Sequence, residues 1–318
     1  MRFIDGAALD AALSRHELVE TLRAAFRAEI TVPPREHHAI ARSGGDASLL
    51  LMPAWSGAAQ AASGHVGVKI VTVFPGNAAK GLATVAGVYL LLSGETGAPL
   101  AVIDGTALTL WRTAAASALA ASYLARPDAA HLLMIGAGAL APHLVAAHAA
   151  TRPITRVTLW NRDVARAERL AERLAGAGFD VDVDVETDLA RALPQADIIS
   201  CATLSGEPLV RGALVKPGAH LDLVGGFTPA MREADDAAIR RARVYVDGPG
   251  AIVEAGDIAA PLAEGVLAPD DIAGDLQGLC RGLIDGRRTA DEITLFKSVG
   301  IALEDLAAAA LIWRKLGS

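Results

Sequence analysis

Cysteine is scarce in this 318-residue sequence, which has only Cys201 and Cys280. The two lie far apart without CxxC spacing, so we expect no disulfide framework and a reducing compartment. The eight histidines show no metal-ligand spacing, and we predict no metal site. Neither a Gly-x-Ser-x-Gly elbow nor a Walker-type loop is present, which argues against those two kinds of site.

Long apolar runs and clusters of positive charge are missing as well. No stretch reaches the roughly 18 uninterrupted apolar residues of a membrane span, and residues 1–6 lack the apolar core of a signal peptide. The 29 lysines and arginines face 36 aspartates and glutamates, a formal net charge of −7, and an acidic surface disfavours nucleic acid. We therefore expect a cytoplasmic protein that binds neither a membrane nor nucleic acid.

Hydrophobic residues are plentiful, at 52% of the chain, although aromatic residues make up only 4%. A chain of this length can bury two substantial cores. Residues 8–29 have the apolar spacing of one helix, and 109–125 and 301–316 also read as helices. Strand-like runs follow one another in the first third, which predicts a mixed or antiparallel sheet; they are 48–52, 66–74, 85–92 and 99–103.

The middle of the chain has a different pattern, in which strands alternate with helices. Alternation of this kind predicts a parallel, doubly wound sheet, so the fold class expected is α/β, of Rossmann type, with a second mixed α+β domain. The strand candidates are 131–136, 156–160, 181–185, 197–202, 219–224 and 243–247.

A glycine turn between the first strand candidate of this region and the next helix carries the clearest chemical signal. Residues 136–141 read Gly-x-Gly-x-x-Ala. Gly136 would allow the tight bend, and Gly138 would let the backbone approach a pyrophosphate at the helix N-terminus. The order of strand, turn and helix predicts a dinucleotide cofactor, whereas a glycine-rich turn in another α/β protein is the alternative interpretation.

The end of the second strand bears on which dinucleotide is bound. Folds that prefer NAD usually hold an acidic residue there for the ribose 2′-hydroxyl. Here the position has Asn161-Arg162, with Arg166 one helical turn later. A guanidinium suits a 2′-phosphate by charge and by its forked donors. We predict NADPH, with NADH as the alternative because Asp163 is adjacent.

Two basic residues occupy places where a cation is unfavourable. Lys69 is the lone charge on an otherwise apolar strand face, so it either reaches water or faces an anion. Arg112 lies near the predicted start of a helix, where the helix dipole disfavours a cation unless an anion binds there. Arg35, after two prolines, is a weaker candidate. Compact motifs around Glu254 and at 296–300 are open to a purely structural interpretation.

Taken together, several motifs in one order resemble the ornithine cyclodeaminase/mu-crystallin family over nearly the full length. They are Leu51-Met52-Pro53, Gly67-Val68-Lys69, Phe74-Pro75-Gly76-Asn77, 97–104, Arg112-Thr113-Ala114-Ala115, Gly136-Ala137-Gly138 and Phe296-Lys297-Ser298-Val299-Gly300. The resemblance implies a homodimer of two-domain subunits. Residues 1–112 plus 301–318 would form the substrate-binding and dimerisation domain, and 113–300 the NAD(P)-binding Rossmann domain.

The resemblance also implies roles for individual residues. Arg35, Lys69 and Arg112 match groups that hold a substrate carboxylate, with Lys69 and Arg112 at the catalytic centre. Glu254 matches a position near the substrate pocket, and Phe227 would shape an apolar wall there. The positions that match cofactor contacts are Thr84, Arg112, Gly136, Gly138, Ala139, Leu140, Asn161, Arg162, Thr203, Leu204, Val224 and Ser298.

Two departures from the family pattern change the expected reaction. Cyclodeaminases carry an aspartate after the Gly-Gly that ends a late strand, where this chain has Phe227, and an acidic residue where it has Leu50. Without these carboxylates the chain lacks a base for deprotonating an amine. Residues 223–236 and 253–257 instead resemble the branch that reduces Δ1-pyrroline-2-carboxylate to L-proline, and Δ1-piperideine-2-carboxylate to pipecolate.

The sequence therefore predicts an NADPH-preferring reductase of a small cyclic imino acid. Three alternatives remain open at this point. One is a cyclodeaminase-type lyase with bound NAD, and another is an alanine-type amino-acid dehydrogenase. The third, from a different functional class, is a ligand-binding protein that holds NADPH in the manner of mu-crystallin.

Overall fold

The computed structural model describes residues 1–42, 45–58, 64–176 and 181–317. The chain divides into two compact units. Unit 1 comprises Met1–Thr113 with Ile301–Ser318, and unit 2 comprises Ala114–Gly300.

Unit 1 contains a sheet that is antiparallel except at one edge. In its described residues the strand order is β1-β7-β6-β5-β4-β2, with β3 also paired to β4. Only β1 and β7 run parallel among these pairs, so the predicted mixed sheet is confirmed. The strands are β1 Arg2–Ile4, β2 Ile30–Thr31, β3 Glu36–Ile40, β4 Ala47–Ser56, β5 His65–Val73, β6 Val85–Ser93 and β7 Pro99–Asp104.

Helices of unit 1 differ from the expectation at the N-terminus. The single helix predicted over 8–29 is wrong, because the structure has α1 at Gly6–Ala12 and α2 at Arg15–Arg27. Ser14 separates them: its backbone is extended, and its side chain caps α2 by accepting a hydrogen bond from the Glu17 amide. Further helices are α3 Gly105–Leu124, which begins in this unit, and α11 Ala302–Leu316.

Unit 2 is built on one parallel sheet of the order β10-β9-β8-β11-β12-β15-β13-β14. From β8 the chain adds β9 and β10 on one side and then β11 and β12 on the other, as in dinucleotide-binding doubly wound folds. The predicted fold class is confirmed. The strands are β8 His131–Ile135, β9 Arg156–Trp160, β10 Asp182–Val185, β11 Ile198–Cys201, β12 His220–Leu223, β13 Ala242–Val246, β14 Ile272–Asp275 and β15 Ile293–Lys297.

The helices of unit 2 connect these strands. They are α4 Ala141–Ala149, α5 Val164–Gly176, α6 Leu189–Ala192, α7 Asp236–Arg241, α8 Pro249–Glu254, α9 Gly256–Ala263 and α10 Leu276–Arg281. The core is formed by apolar side chains of the central strands, among them Leu133, Ile199, Leu221 and Leu295. Every residue of β11, β12 and β15 is buried, which is typical of a parallel sheet covered on both faces.

Candidate functional site

Lys69 and Arg112 lie together in unit 1, and both are buried. Their residues are 3% and 6% exposed. Lys69 Nζ donates a hydrogen bond of 3.0 Å to Asp305 Oδ1, and Arg112 Nη1 donates one of 2.7 Å to Glu304 Oε2. Arg112 Nε lies 3.3 Å from the same Asp305 oxygen. Two cations and two carboxylates thus form one charge-balanced cluster.

The two carboxylates of this cluster were not found from the sequence. Glu304 and Asp305 are fully buried in the first turn of α11, where the helix dipole favours negative charge. The available signal was an adjacent pair of acids in a helix otherwise rich in alanine and leucine. The anion that Lys69 faces in the structure is therefore the protein's own carboxylate, at 3.0 Å.

The position of Arg112 also differs from the expectation. The helix begins at Gly105 and not near residue 109, because Asp104 Oδ1 accepts hydrogen bonds from the amides of Thr106 and Ala107. Arg112 is consequently about two turns inside α3. The helix dipole therefore does not make the position of Arg112 unfavourable. Arg112 is unusual because it is buried and paired with Glu304.

Electrostatics within the cluster shift the titration of its members. Burial lowers the pKa of the Lys69 ammonium to about 8; the Asp305 carboxylate opposes this shift and the Arg112 guanidinium adds to it. Tyr89 is the direct cross-strand partner of Lys69. Burial, together with Asp305, raises the pKa of the Tyr89 phenol well above its usual value, so this group stays neutral at physiological pH.

The phenol of Tyr89 covers Gly67 on the same strand face. A Cβ added at Gly67 would lie 2.0 Å from Tyr89 Oη, so only glycine fits there. Among the described residues, no hydrogen-bond partner lies within reach of Tyr89 Oη. The buried, neutral phenol of Tyr89, which has no hydrogen-bond partner among the described residues, therefore lies in the same region as the Lys69–Asp305 ion pair.

Two other predicted residues of unit 1 lie at partly exposed positions. Arg35 directly precedes β3, whose first residue Glu36 pairs with Leu51 on β4. The next residue of β4, Met52, pairs with Lys69, so Arg35 enters the sheet close to the register of Lys69. Thr84 precedes β6, and its carbonyl accepts a hydrogen bond of 2.7 Å from the Phe74 amide.

In unit 2 the remaining predicted residues follow the carboxyl ends of the strands. Because the strands are parallel, these ends form one edge of the sheet, where doubly wound folds bind ligands. The residues after β8 are Gly136, Gly138, Ala139 and Leu140; those after β9 are Asn161 and Arg162; those after β11 and β12 are Thr203, Leu204, Val224 and Phe227; Ser298 follows β15, and Glu254 ends α8 beyond β13.

The glycine turn has the geometry of a phosphate cradle. Gly136 has a φ of +107°, and a Cβ there would lie 2.6 Å from the Ala202 carbonyl oxygen. A Cβ at Gly138 would meet no atom within 4 Å, so open space lies beside it. Among the described hydrogen bonds, the amides of Gly138, Ala139 and Leu140 have no protein acceptor. Free amides at the start of α4 fit a pyrophosphate.

Asn161 and three arginines of α5 lie beside this turn, and a fourth arginine, Arg162, follows Asn161 in the sequence. Asn161 Oδ1 accepts a hydrogen bond of 3.2 Å from the Ala137 amide, which ties the end of β9 to the turn. Arg162 is exposed. On α5, Arg166, Arg169 and Arg173 line a cavity of about 330 Å³ whose opposite wall is formed by Ala137, Gly138 and Ala139. The sequence indicated only Arg162 and Arg166. Arg169 and Arg173 could not be predicted, because the tertiary structure decides which face of α5 meets the turn.

Exposure differs among the residues at the other strand ends. Leu204 and Phe227 are large apolar side chains with 71% and 45% exposure. Ser298 is buried at 3%, and its amide donates to the Leu223 carbonyl at 3.2 Å. The turn that follows is held by Asp247, whose Oδ2 accepts hydrogen bonds from two successive amides.

Two negative findings hold for the part of the chain that the structure describes. No group of three or more histidine, cysteine, aspartate or glutamate side chains is placed to hold a metal ion. None of the described helices combines the length and apolarity needed to cross a membrane.

A model of the ornithine cyclodeaminase/mu-crystallin family matches residues 7–318. The chain belongs to this family. The Δ1-pyrroline-2-carboxylate reductase of Colwellia psychrerythraea (strain 34H) is 37% identical to it over 324 residues, which cover 99% of each chain. The prediction of the family is thereby confirmed.

Two solved structures agree with the fold described above. The Thermococcus litoralis Δ1-pyrroline-2-carboxylate reductase in complex with NADH and L-proline matches with a TM-score of 0.92 at 32% identity, covering 99% of this chain and 97% of that one. An archaeal alanine dehydrogenase dimer with bound NAD matches with a TM-score of 0.89 at 29% identity, covering 100% and 98%.

Leu50 and Phe227 stand at the two positions where the family resemblance implies carboxylates in cyclodeaminases. Leu50 lies on β4, paired with Val71 on β5 and with His37 on β3. Phe227 follows the two glycines after β12 and is partly exposed. Neither side chain can accept or donate a proton, so neither can act as an acid or a base.

Proposed function

We propose that this protein reduces a small cyclic ketimine carboxylate, Δ1-pyrroline-2-carboxylate, to L-proline, with NADPH as the preferred reductant. One observation carries the proposal: Lys69 and Arg112 are both present and buried, while Leu50 and Phe227 offer no acid or base where the family resemblance implies carboxylates in cyclodeaminases. A cyclic imine already has its electrophilic carbon, so its reduction does not need the missing base. Reduction of Δ1-piperideine-2-carboxylate to L-pipecolate is proposed as a second activity.

Binding of a substrate carboxylate in unit 1 requires a cation in addition to Lys69 and Arg112. Glu304 and Asp305 already neutralise Lys69 and Arg112, so a substrate anion brings one additional negative charge. Arg35, at a partly exposed position, is proposed as the third cation. In this proposal Lys69 and Arg112 fix the geometry of the carboxylate through hydrogen bonds, whereas Arg35 balances its charge.

Anchoring the substrate is the main catalytic contribution proposed for these residues. The nicotinamide, when bound, supplies the hydride that is added at the imine carbon. Holding the reacting groups in one geometry can lower the barrier by several kcal/mol, roughly 7 or more in favourable cases. Phe227 and Leu204 are exposed apolar side chains suited to the ring methylenes and the nicotinamide face, and Glu254 borders the same edge.

The arginines near the glycine turn support the preference for NADPH. Arg162, Arg166, Arg169 and Arg173 place four guanidinium groups on one segment, three of them in the cavity beside Gly138. Asp163 lies 3.4 Å from Arg166 and offsets part of this charge. A 2′-phosphate dianion would be stabilised by such a set of donors, whereas NADH offers only hydroxyl groups there.

An alanine-type dehydrogenase is the second candidate, favoured by the match to the archaeal alanine dehydrogenase. Both activities need a carboxylate anchor and a dinucleotide, and they differ in whether the imine is cyclic. The homodimer and the cytoplasmic location predicted from the sequence remain predictions.

The decisive experiment is oxidation of NADPH by the purified protein in the presence of Δ1-pyrroline-2-carboxylate. Turnover that exceeds turnover with pyruvate plus ammonia supports the proposal, and the reverse ranking supports the second candidate. The Lys69→Met variant should lose turnover but still bind NADPH. Folded protein that turns over the cyclic imine with neither NADPH nor NADH would overturn the proposed function.

A further inference from the structure

Beneath the carboxyl edge of the unit 2 sheet lies a second buried cluster of charges, which the chemistry above does not use. Glu233, Asp257 and Lys297 are each 0% exposed. Lys297, the last residue of β15, has its Nζ 3.2 Å from Asp257 Oδ2 and 3.8 Å from Glu233 Oε2. Two carboxylates thus share one ammonium group.

The carboxylate of Glu233 joins two turns of the edge. Glu233 Oε1 accepts hydrogen bonds from the amide of Thr203 at 2.8 Å and from its hydroxyl at 3.0 Å. Glu233 Oε2 accepts one of 2.7 Å from the amide of Gly225. Thr203 follows β11 and Gly225 follows β12, and these strands are direct neighbours. A single side chain therefore bridges the two turns.

Asp257, near the start of α9, holds the segment that carries Glu233. Asp257 Oδ1 accepts hydrogen bonds of 2.7 and 3.0 Å from the amides of Glu233 and Ala234. Its other oxygen is directed at Lys297 and lies so near Gly226 that a Cβ there would be 2.7 Å away. Gly225 and Gly226, the two glycines after β12, therefore leave room for the carboxylates beneath them, because a side chain at either position would clash with one of them.

A cluster of this kind is costly to build. Removing ions from water costs several kcal/mol each, and well-packed apolar side chains are often as stabilising as a buried ion pair. Burial also raises the pKa of Glu233, with Asp257 adding to the shift and Lys297 opposing it. Stability alone therefore does not account for charges placed under the two turns that carry Thr203, Leu204 and Val224.

We propose that Glu233 is a positioning residue that fixes the spacing of the Thr203 and Gly225 turns for the nicotinamide half of the dinucleotide. Asp257 and Lys297 hold its carboxylate in place. The inference rests on the proposed dinucleotide binding. In doubly wound folds each half of the sheet binds one mononucleotide; here β8 carries the glycine turn for the adenosine half, and β11 and β12 belong to the other half.

The test compares Glu233→Gln with Asp222→Asn in the full-length protein. Asp222 is a matched control because it is also a fully buried carboxylate of this sheet, yet it bonds Ser200 Oγ at 2.7 Å and His148 Nε2 at 3.1 Å and touches neither turn. NADPH affinity is measured by fluorescence titration, and affinity for 2′,5′-ADP, a probe of the adenosine half, by calorimetry. Melting temperatures report the stability of each variant.

We expect Glu233→Gln to weaken NADPH binding about tenfold, the effect of one lost hydrogen bond to a charged group, and to leave 2′,5′-ADP binding unchanged. Asp222→Asn should leave both affinities unchanged even if it lowers the melting temperature. Should Glu233→Gln not fold, Asp257→Asn, which keeps the acceptor for both amides, should show the same selective loss at about threefold.

Three results would overturn the inference. They are unchanged NADPH affinity in the variants of the cluster, equal loss of both ligands, and the same selective loss in Asp222→Asn. If the unaltered protein binds neither NADPH nor NADH, the proposed function and the positioning role of Glu233 are both wrong. If the unaltered protein binds NADPH and only the expected loss is missing, the proposed function stands and the positioning role of Glu233 is wrong.

Discussion

Lys69 Nζ lies 3.0 Å from Asp305 Oδ1 across 236 positions of sequence, and neither side chain is more than 4% exposed. The cation that the proposal assigns to the substrate carboxylate is therefore paired before any substrate arrives. Asp305 also lies 3.3 Å from Arg112 Nε. One carboxylate oxygen thus lies against both cations of the buried site.

Removing that carboxylate should destabilise the protein. Asp305→Asn leaves Lys69 buried without its counterion, and breaking a buried pair in this way costs about 3 kcal/mol. Denaturant unfolding measures this loss. The double variant Asp305→Asn with Lys69→Met should lose less than the sum of the single changes, since both charges are gone.

A surface pair on the same helix supplies the control. Lys315 of α11 pairs with Glu17 of α2, and their side chains are 32% and 41% exposed. Glu17→Gln should change the free energy of unfolding by less than about 1 kcal/mol. If Asp305→Asn were as stable as the unaltered protein, Asp305 would not be the counterion that the geometry indicates.

The lowered pKa of Lys69 predicts how activity depends on pH. Burial lowers this pKa to about 8, and only the protonated ammonium can hold a carboxylate. The value of kcat/KM for the cyclic imine should therefore fall as pH rises above about 8, mainly through a higher KM. In Lys69→Arg this decline should be absent from the activity that remains, because arginine stays protonated. A rate that is level to about pH 10 would contradict the assignment.

Patterns within short segments were sufficient to predict most of the fold. Some parallel strands of unit 2, such as β8 and β11, are largely apolar runs, and the glycine turn follows the first of them. The strands β14 and β15 were not predicted; β15 ends in Lys297, a charged residue that is buried beside Glu233 and Asp257. The break at Ser14 was missed because apolar spacing continues through it.

The partners of the candidate site could not be predicted in the same way. Lys69 and Arg112 were identified as unusual from their own surroundings. Glu304 lies 192 positions from Arg112, and no local pattern connects residues at that distance. The sequence therefore indicated that Lys69 either reaches water or faces an anion, and only the tertiary structure identified Asp305 as its partner.

The arginines beside the glycine turn predict the choice of cofactor. Arg162→Ala should weaken the binding of NADPH and of 2′,5′-ADP about tenfold, the effect of losing one charge-assisted contact, and leave NADH affinity within about twofold. Arg191→Ala is the control, because Arg191 is 76% exposed on α6 and pairs only weakly with Asp188 at 3.7 Å. Equal weakening of NADPH and NADH would show that Arg162 does not recognise the 2′-phosphate.

Buried histidine in the unit 2 core predicts loss of stability in acid. Burial lowers the pKa of His220 to about 3, with the Asp222 carboxylate opposing the shift. Its Nδ1 lies 3.0 Å from Thr294 Oγ1, whose hydroxyl donates to the Leu124 carbonyl, so Nδ1 is the donor. The unfolded chain takes up a proton below about pH 6.5 that the folded protein cannot accept. The stabilisation is therefore complete above pH 6.5 and is lost as pH falls.

His220→Asn isolates this contribution, because an asparagine amide can replace the Nδ1 donor but does not titrate. Each pH unit below 6.5 should cost the unaltered protein about 1.4 kcal/mol more than the variant, or about 3 kcal/mol at pH 4.5. Denaturant unfolding of both proteins between pH 7 and 4.5 measures the difference. Asp197, whose pKa is lowered to about 2, titrates in the folded protein below this range and contributes equally to both. If the free energies of unfolding of the two proteins fall equally with pH, the folded protein accepts a proton at His220 and the prediction is wrong.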